Sequence, residues 1–156
     1  MRIVITGTPG TGKTEVAKKL SKLLGLKLLD TRPVLEKAKI GYDEKRKTDI
    51  IDERKFGALL DEIKGDFIAE GHLTHFAKKV DLCVVLTCNA KELRRRLEER
   101  GWKKEKIDEN VKSELVKICL GEAMDMKHEI LVVDTSEKRA EEVAKEVANH
   151  VKNRLK

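Results

Sequence analysis

The sequence contains no glutamine and only two prolines, and aromatic residues make up 3% of its 156 positions. With so few aromatic side chains, the core must rest on leucine, isoleucine, valine and alanine, which suit a parallel sheet covered by helices. Charged residues and hydrophobic residues each account for 40% of the chain, which argues against intrinsic disorder. Missing glutamine combined with abundant lysine and glutamate is a pattern of thermophilic proteins.

Long apolar runs are also missing. None approaches the roughly 18 residues that a membrane-spanning helix needs, and the apolar run at the N-terminus is too short for a signal peptide. The three cysteines form no CxxC pair, and an odd number fits a reducing compartment. We therefore expect a soluble, cytoplasmic protein with no membrane partner. The net charge of +6 is compatible with polyanionic partners such as nucleotides or RNA, and equally with an incidental surplus of surface lysine.

Short apolar strands alternate with amphipathic helices along the whole chain. This alternation predicts βαβ units, a parallel sheet and one three-layer α/β domain over residues 1–156. Strands are predicted at Ile3–Ile5, Lys27–Leu29, Asp66–Glu70, Val80–Thr87 and Ile130–Val133, and helices at Thr14–Leu24, Arg32–Lys39, Glu53–Ile63, Lys91–Arg100, Lys104–Met124 and Glu137–Leu155. A polar loop is predicted over Gly41–Asp49.

The segment GTPGTGKT, from Gly7 to Thr14, matches the phosphate-loop pattern GxxxxGK[ST] in full. Its glycines allow backbone amides to curl around a phosphate group, and Lys13 brings a positive charge to the phosphate oxygens. The Thr14 hydroxyl is the expected Mg²⁺ ligand. The following helix directs its N-terminal amides, including that of Glu15, at the phosphates. The pattern predicts a protein that binds ATP and Mg²⁺.

Glu70 ends a predicted strand, where a phosphate-loop enzyme needs an acidic residue for the water shell of Mg²⁺. A simple strand-end position with no ligand is the alternative. His72 and His75 follow closely. Although HxxH is also a zinc pattern, no further histidine or cysteine ligand lies nearby in the sequence, so zinc is not favoured.

A basic cluster, Arg94 to Arg96 with Arg100, lies at the end of the fourth predicted helix. Arg96 and Arg100 fall on one helix face, and a movable arginine can stabilise the charge of a phosphoryl group in transfer. A solvated charged face is the alternative, above all for Arg94 and Arg95. The residues 134–136 after the last strand are predicted to cap the following helix, at the strand ends where a nucleotide base could also rest.

Four segments, ITGTPGTGKT, EGH, GYDEKRKTDIIDE and RRLEERGW followed by EKIDENVKSEL, together resemble the adenylate kinase isoform 6 family. Members of this family are small adenylate-kinase-like NTPases that act in late maturation of the small ribosomal subunit. The resemblance implies a nucleoside-monophosphate-kinase fold with a five-stranded parallel sheet. It also implies that residues 29–51 bind the monophosphate and that residues 99–109 form a lid. The implied activity is broad nucleoside monophosphate (NMP) kinase activity alongside ATPase activity.

The resemblance also implies roles for individual residues. ATP would be contacted by Gly10, Gly12, Lys13, Thr14, Glu15 and, from the lid, Arg100. The catalytic set would be Lys13, Glu70, His72 and Arg100, with Thr14 and Glu70 serving the metal. The family usually has aspartate in the place of Glu70. The family also has an arginine that binds the phosphate group of the NMP, and its position aligns here with Glu36 or Lys37. Either Arg32 or Lys37 takes over this role, or AMP binds poorly and ATPase activity prevails.

Three alternatives to this interpretation stay open. An AAA+ type ATPase shares the phosphate-loop sequence, but 156 residues leave no room for its helical subdomain. A second alternative is another small-molecule kinase, such as a shikimate or cofactor-precursor kinase. The third is an ATP-switched assembly module that binds a small-subunit ribosomal protein and rRNA. Analysis of the reaction products separates these alternatives from an NMP kinase.

Overall fold

A five-stranded parallel sheet forms the middle layer of the structure, a computed structural model that describes residues 1–156. The strands are β1 (Arg2–Thr6), β2 (Lys27–Leu28), β5 (Phe67–Glu70), β6 (Leu82–Thr87) and β7 (Ile130–Asp134), in the spatial order β2-β5-β1-β6-β7. Ile5 of β1 is level with Glu70 of β5 and with Val84 of β6. The carboxyl ends of these strands therefore meet at one edge of the sheet, and the predicted fold class is confirmed.

Helices cover both faces of this sheet because alternate strand residues point to opposite sides. Ile3 and Ile5 pack with α1 (Lys13–Leu24) and α7 (Ala140–Arg154), whereas Val4 packs on the side of α6 (Ile118–Asp125). The remaining helices are α2 (Arg32–Ala38), α3 (Glu53–Glu62), α4 (Ala90–Glu99) and α5 (Lys104–Leu115). A short 3₁₀ turn spans Thr74–Phe76.

The predicted polar loop over Gly41–Asp49 is wrong, because this segment forms most of a β-hairpin. Strands β3 (Lys39–Asp43) and β4 (Thr48–Ile51) pair in antiparallel fashion, apart from the main sheet. The Asp43 carboxylate accepts hydrogen bonds from the amides of Lys45 and Arg46 (3.0 and 3.1 Å), and Lys47 adopts the left-handed conformation (φ 53°). The hairpin was missed because its strands are short and largely exposed: only Ile40 and Tyr42 alternate in β3, and β4 shows no alternation.

The single helix predicted over Lys104–Met124 is also wrong. The chain breaks into α5 and α6 at Lys117, whose φ is 54°. Ile107 and Val111 of α5 pack against α4, whereas Ala123 of α6 packs against the sheet. One straight helix cannot serve both surfaces. The apolar stripe predicted along it therefore fails beyond Val111, and Leu115 is 65% exposed.

The close approach of α3 to the 3₁₀ turn depends on Gly57. A Cβ atom at Gly57 would lie 2.2 Å from the carbonyl oxygen of Phe76, and backbone cannot move aside cheaply. We predict that Gly57→Ala lowers the free energy of unfolding by about 1–3 kcal/mol. The matched control is Gly121→Ala in α6, where no atom lies within 4 Å of the added Cβ and where alanine should add about 0.5–1 kcal/mol.

Urea unfolding of both variants measures the two effects, provided that the m-value stays unchanged. A Gly57→Ala midpoint equal to that of the wild type would contradict the packing of α3 on the 3₁₀ turn.

Candidate active site at the phosphate loop

The phosphate loop joins β1 to α1, and two of its glycines are required by geometry. Gly7 and Gly10 have φ values of 149° and 95°, which residues with a Cβ atom rarely adopt. A Cβ at Gly7 would lie 2.6 Å from the carbonyl oxygen of Leu86, and one at Gly10 would lie 2.8 Å from Cδ1 of Leu93. The loop therefore lies directly against the end of β6 and the face of α4.

Lys13, the first residue of α1, folds back over the loop. Its Nζ donates hydrogen bonds to the carbonyl oxygens of Gly7 (2.9 Å) and Thr8 (3.1 Å). Burial lowers the pKa of Lys13 to about 8, whereas nearby acidic groups, Glu70 among them, act in the opposite direction. The ammonium group thus lies at the mouth of the loop and must release these carbonyls to reach a phosphate.

The structure brings Thr14 and Glu70 together, although 56 positions separate them in the sequence. The Thr14 hydroxyl donates to Oε1 of Glu70 at 3.0 Å. The chain contains no group of three or more His, Cys, Asp or Glu side chains that could hold a metal by themselves. A hydroxyl with one carboxylate fits Mg²⁺, which keeps several waters and takes its other ligands from substrate phosphates.

The two histidines that follow β5 have different environments. Although His72 keeps an exposed part, the surrounding protein partly desolvates it, and this effect together with the Lys13 ammonium lowers the pKa of His72 to about 4. His75 is fully buried, and its ring connects the Thr6 hydroxyl (2.7 Å) to the Glu122 carboxylate (3.1 Å). His75 therefore ties β1 to α6, whereas His72 lies within the electrostatic reach of the phosphate-loop lysine.

Arg96 has a role that the sequence analysis missed. Its guanidinium donates to the carbonyl oxygens of Gly10 (3.3 Å) and Thr135 (2.6 Å), while Glu92 accepts from its Nε at 3.1 Å. The Thr135 hydroxyl in turn donates to the carbonyl oxygen of Thr11 at 2.8 Å. The spacing of Arg96 from Arg100 placed both on one face, but it gave no sign that Arg96 contacts the phosphate loop.

Arg100 lies at the predicted lid, in the wall of a cavity of about 470 Å³ that Gly10, Gly12 and Glu15 also line. Its guanidinium carbon is 6.0 Å from the ring centroid of Trp102. Four of the predicted ATP contacts, Gly10, Gly12, Glu15 and Arg100, therefore line one cavity. Lys13 and Thr14 lie between Gly12 and Glu15 in the chain.

The predicted monophosphate region and the predicted lid touch each other. Arg46, at the tip of the β3–β4 hairpin, forms an ion pair with Glu109 of α5 (3.0 Å). Within the monophosphate region, the Arg32 guanidinium makes two hydrogen bonds to the Asp30 carboxylate (2.8 and 2.9 Å), which lower the pKa of Asp30 to about 2. Lys37 is exposed.

Comparison with known proteins gives a family. A family profile described as an AAA domain matches residues 3–117. A protein of Thermococcus kodakarensis named "Putative adenylate kinase" is 38% identical over 157 residues, which cover 100% of this chain and 88% of that protein. Proteins of Pyrococcus furiosus (40% identical, 100% and 87% covered) and Methanocaldococcus jannaschii (35% identical, 99% and 88% covered) carry the same name. The chain belongs to the adenylate-kinase-like family.

Solved structures show how widely the fold of this adenylate-kinase-like chain is shared. A shikimate kinase from Acinetobacter baumannii matches with a TM-score of 0.70 at 19% identity, covering 99% of this chain and 95% of that one. A gluconokinase from Sinorhizobium meliloti matches with a TM-score of 0.64 at 14% identity, covering 99% and 94%. At these identities the likeness establishes the fold alone. No helix of the chain has the length and apolar character to cross a membrane.

The Thr14–Glu70 contact generates a prediction for metal dependence. Glu70→Gln keeps the shape of the side chain but removes its charge, so we expect the Mg²⁺ concentration at half-maximal ATP turnover to rise about tenfold or more. Glu70→Asp should retain most of the activity. Glu62→Gln, an exposed carboxylate at the end of α3, is the control. Identical Mg²⁺ titrations for the wild type and Glu70→Gln would mean that Glu70 only ends its strand.

Proposed function

We propose that the protein is an ATP- and Mg²⁺-dependent NMP kinase of broad acceptor specificity that also hydrolyses ATP. The observation that carries the proposal is the Thr14–Glu70 contact of 3.0 Å at the mouth of a complete phosphate loop. A hydroxyl and a carboxylate beside an ammonium group form a donor site for a metal-bound triphosphate. The adenylate kinase name of the relatives supports phosphoryl transfer to a nucleotide.

On the donor side, the loop amides and the N-terminus of α1 hold the phosphates. Lys13 releases the carbonyls of Gly7 and Thr8 and binds the phosphate oxygens. Thr14 and Glu70 hold Mg²⁺, which would neutralise charge that develops on the transferred group. Arg100 supplies a further positive charge from the lid, and its value is greatest in the transition state. His72 follows Glu70 by two positions after the end of β5 and lies in the electrostatic field of Lys13.

On the acceptor side, we propose residues 29–51 as the monophosphate region and residues 99–109 as the lid. The Arg46–Glu109 ion pair joins the two, and their closure over the nucleotides would exclude water from the reacting groups. Arg32 and Lys37 are the candidates for the phosphate of the monophosphate. Arg32 would exchange its Asp30 partner for that phosphate, whereas Lys37 has no competing partner among the ion pairs of the chain.

A basic surface favours a second candidate function, an ATP-switched module of small ribosomal subunit maturation that binds rRNA and a ribosomal protein in the cytoplasm. Six exposed basic residues lie on the hairpin tip and around the lid, interspersed with four exposed acidic ones, and Arg46 is paired with Glu109. The basic residues are Lys45, Arg46, Lys47, Lys103, Lys104 and Lys106, and the acidic ones are Glu44, Glu105, Asp108 and Glu109. The Lys106 ammonium lies 4.2 Å from the ring centroid of Trp102. Clustered cations beside an aromatic ring suit RNA. This function is compatible with kinase activity in the same site.

Product analysis tests the proposal. The protein is incubated with ATP and Mg²⁺, alone and with each common NMP, and the products are followed by NMR. We expect the added NMP to be converted into its diphosphate, with one ATP used in transfer for each NMP consumed, in addition to the ATP that is hydrolysed to ADP and phosphate. With AMP as acceptor, transfer yields two ADP for each AMP consumed. Formation of only ADP and inorganic phosphate, whatever NMP is added, would contradict the kinase. Phosphate release that rises with rRNA would then favour the assembly module.

Variants of Arg32 and Lys37 test whether these residues bind the phosphate group of the NMP. We expect a combined Arg32→Ala and Lys37→Ala variant to raise the KM for AMP at least tenfold, while ATP hydrolysis without AMP stays unchanged, because only acceptor binding is lost. Each single variant shows which of the two side chains carries the role. An unchanged KM for AMP in the double variant would rule out both residues.

A further inference from the structure

Glu114, in the last turn of α5, reaches the phosphate loop from outside it. Its Oε1 accepts a hydrogen bond from the Thr8 hydroxyl at 2.8 Å, and its Oε2 accepts one from the backbone amide of Cys88 at 2.7 Å. Glu114 is half-buried, and both donors are buried residues. Because an ionised carboxylate only accepts hydrogen bonds, both of its oxygens match their partners, and such charge-assisted bonds are the stronger kind.

Thr8 is the residue on which the loop closes. Its carbonyl oxygen accepts from the amide of Thr11 (3.2 Å), the hydroxyl of Thr11 (2.8 Å) and Nζ of Lys13 (3.1 Å). Thr8 itself is only 2% exposed. Its hydroxyl is directed to Glu114, and the phosphate-loop pattern leaves this position free to vary. Glu114, which lies outside the motif, therefore orients the Thr8 residue. The carbonyl of Thr8 is hydrogen-bonded both to Lys13 and to Thr11 in the loop turn.

The second carboxylate oxygen of Glu114, Oε2, is hydrogen-bonded to Cys88 just after the end of β6. Cys88 follows Thr87, whose carbonyl oxygen accepts from the amide of Thr135 (2.8 Å). The Thr135 hydroxyl donates to the carbonyl oxygen of Thr11 in the phosphate loop (2.8 Å). One carboxylate thus connects to the loop by two routes, directly through Thr8 and indirectly through the end of β6.

Helix α5 also contacts the predicted acceptor side. Glu109, five positions before Glu114, pairs with Arg46 of the hairpin, and Asp108 pairs with Arg94 of α4 (2.8 Å). Five residues of helix span about 7.5 Å. The helix therefore touches the hairpin near its middle and the phosphate loop at its end, and it ends at the break before α6.

We propose that Glu114 is a positioning residue for nucleotide binding, which fixes the phosphate loop through the Thr8 hydroxyl and ties its shape to helix α5. The inference rests on the proposed function, since it assumes that this loop binds ATP. Glu114 touches no substrate. It acts through Thr8, whose carbonyl holds Lys13 before the nucleotide arrives.

The test is a double-mutant cycle of Thr8→Val and Glu114→Ala. Valine has the shape of threonine without the hydroxyl, and it leaves the Glu114–Cys88 contact intact. The affinity for MgATP is measured by calorimetry, and kcat and KM for ATP are measured separately. We expect each single variant to lose about tenfold in ATP affinity, and the double variant to lose no more than twofold beyond Glu114→Ala, because both remove the same bond.

Two further variants give the cycle its controls. Thr8→Ser retains the hydroxyl and should restore ATP affinity to within threefold of the wild type. Lys112→Ala changes an exposed side chain on the same helix and should bind ATP like the wild type. If Glu114→Ala fails to fold, the ATP affinities of Thr8→Val and Thr8→Ser alone decide the result. A Glu114 that only stabilised the fold would leave the ATP affinity of Thr8→Val unchanged.

Unchanged ATP affinity in Thr8→Val, or losses that add in full in the double variant, would overturn the inference. A wild-type protein that binds no ATP would instead contradict the proposed function, so the two failures are distinguishable.

Discussion

Between the buried strand β1 and helix α1 the chain must reverse within six residues while its amide groups stay free for a ligand. This constraint is met by turning the carbonyl groups of the loop inward. The Thr8 carbonyl closes the turn on Thr11, and the carbonyls of Gly7 and Thr8 hold the Lys13 ammonium. Unpaired buried carbonyls would be costly, so the loop is prepared for its ligand by internal bonds that the ligand partly replaces.

Most of the residues around the phosphate loop form hydrogen bonds that hold its backbone in place. Arg96 and Thr135 donate hydrogen bonds to loop carbonyls from one side, and Glu114 accepts from the Thr8 hydroxyl on another. His75, buried beneath β1, holds the Thr6 hydroxyl just before the loop begins. The fold thus supports the phosphate loop from α4, α5, β7 and the 3₁₀ turn, and only a few side chains, including Thr14, Glu70 and Arg100, are directed to the mouth of the site.

The sequence was informative where chemistry and local periodicity coincide. Four of the five strands of the main sheet have apolar runs, and the phosphate loop has a fixed spacing, so the fold class was predicted correctly. Glu70 could be placed near Thr14 because the carboxyl ends of parallel strands meet at one edge. The exposed β3–β4 hairpin and the break at Lys117 were not predicted, since no glycine or proline lies in the hairpin turn (residues 44–47) or at Lys117. Their positions are set by tertiary contacts.

The residues that local patterns missed share one property. Arg96 and Thr135 bind backbone carbonyls, and Glu114 binds the Thr8 hydroxyl, all 39 or more positions away. The contact of Glu114 with the amide of Cys88 is nearer, at 26 positions. A hydrogen bond to a distant carbonyl or hydroxyl requires no motif, and any arginine or glutamate on a charged helix looks like a solvated one. Such support becomes visible only when the packing of α4 and α5 on the loop is known.

The central claim is that Lys13 at this loop binds and orients the phosphates of ATP. The most direct test measures ATP turnover of Lys13→Met, with Lys19→Met, an exposed lysine of the same helix, as the control and with thermal unfolding as the check on folding. Loss of the ammonium should reduce turnover at least a hundredfold, about 3 kcal/mol of transition-state stabilisation, while Lys19→Met keeps wild-type rates. Turnover of a folded Lys13→Met protein within threefold of the wild type would contradict the account.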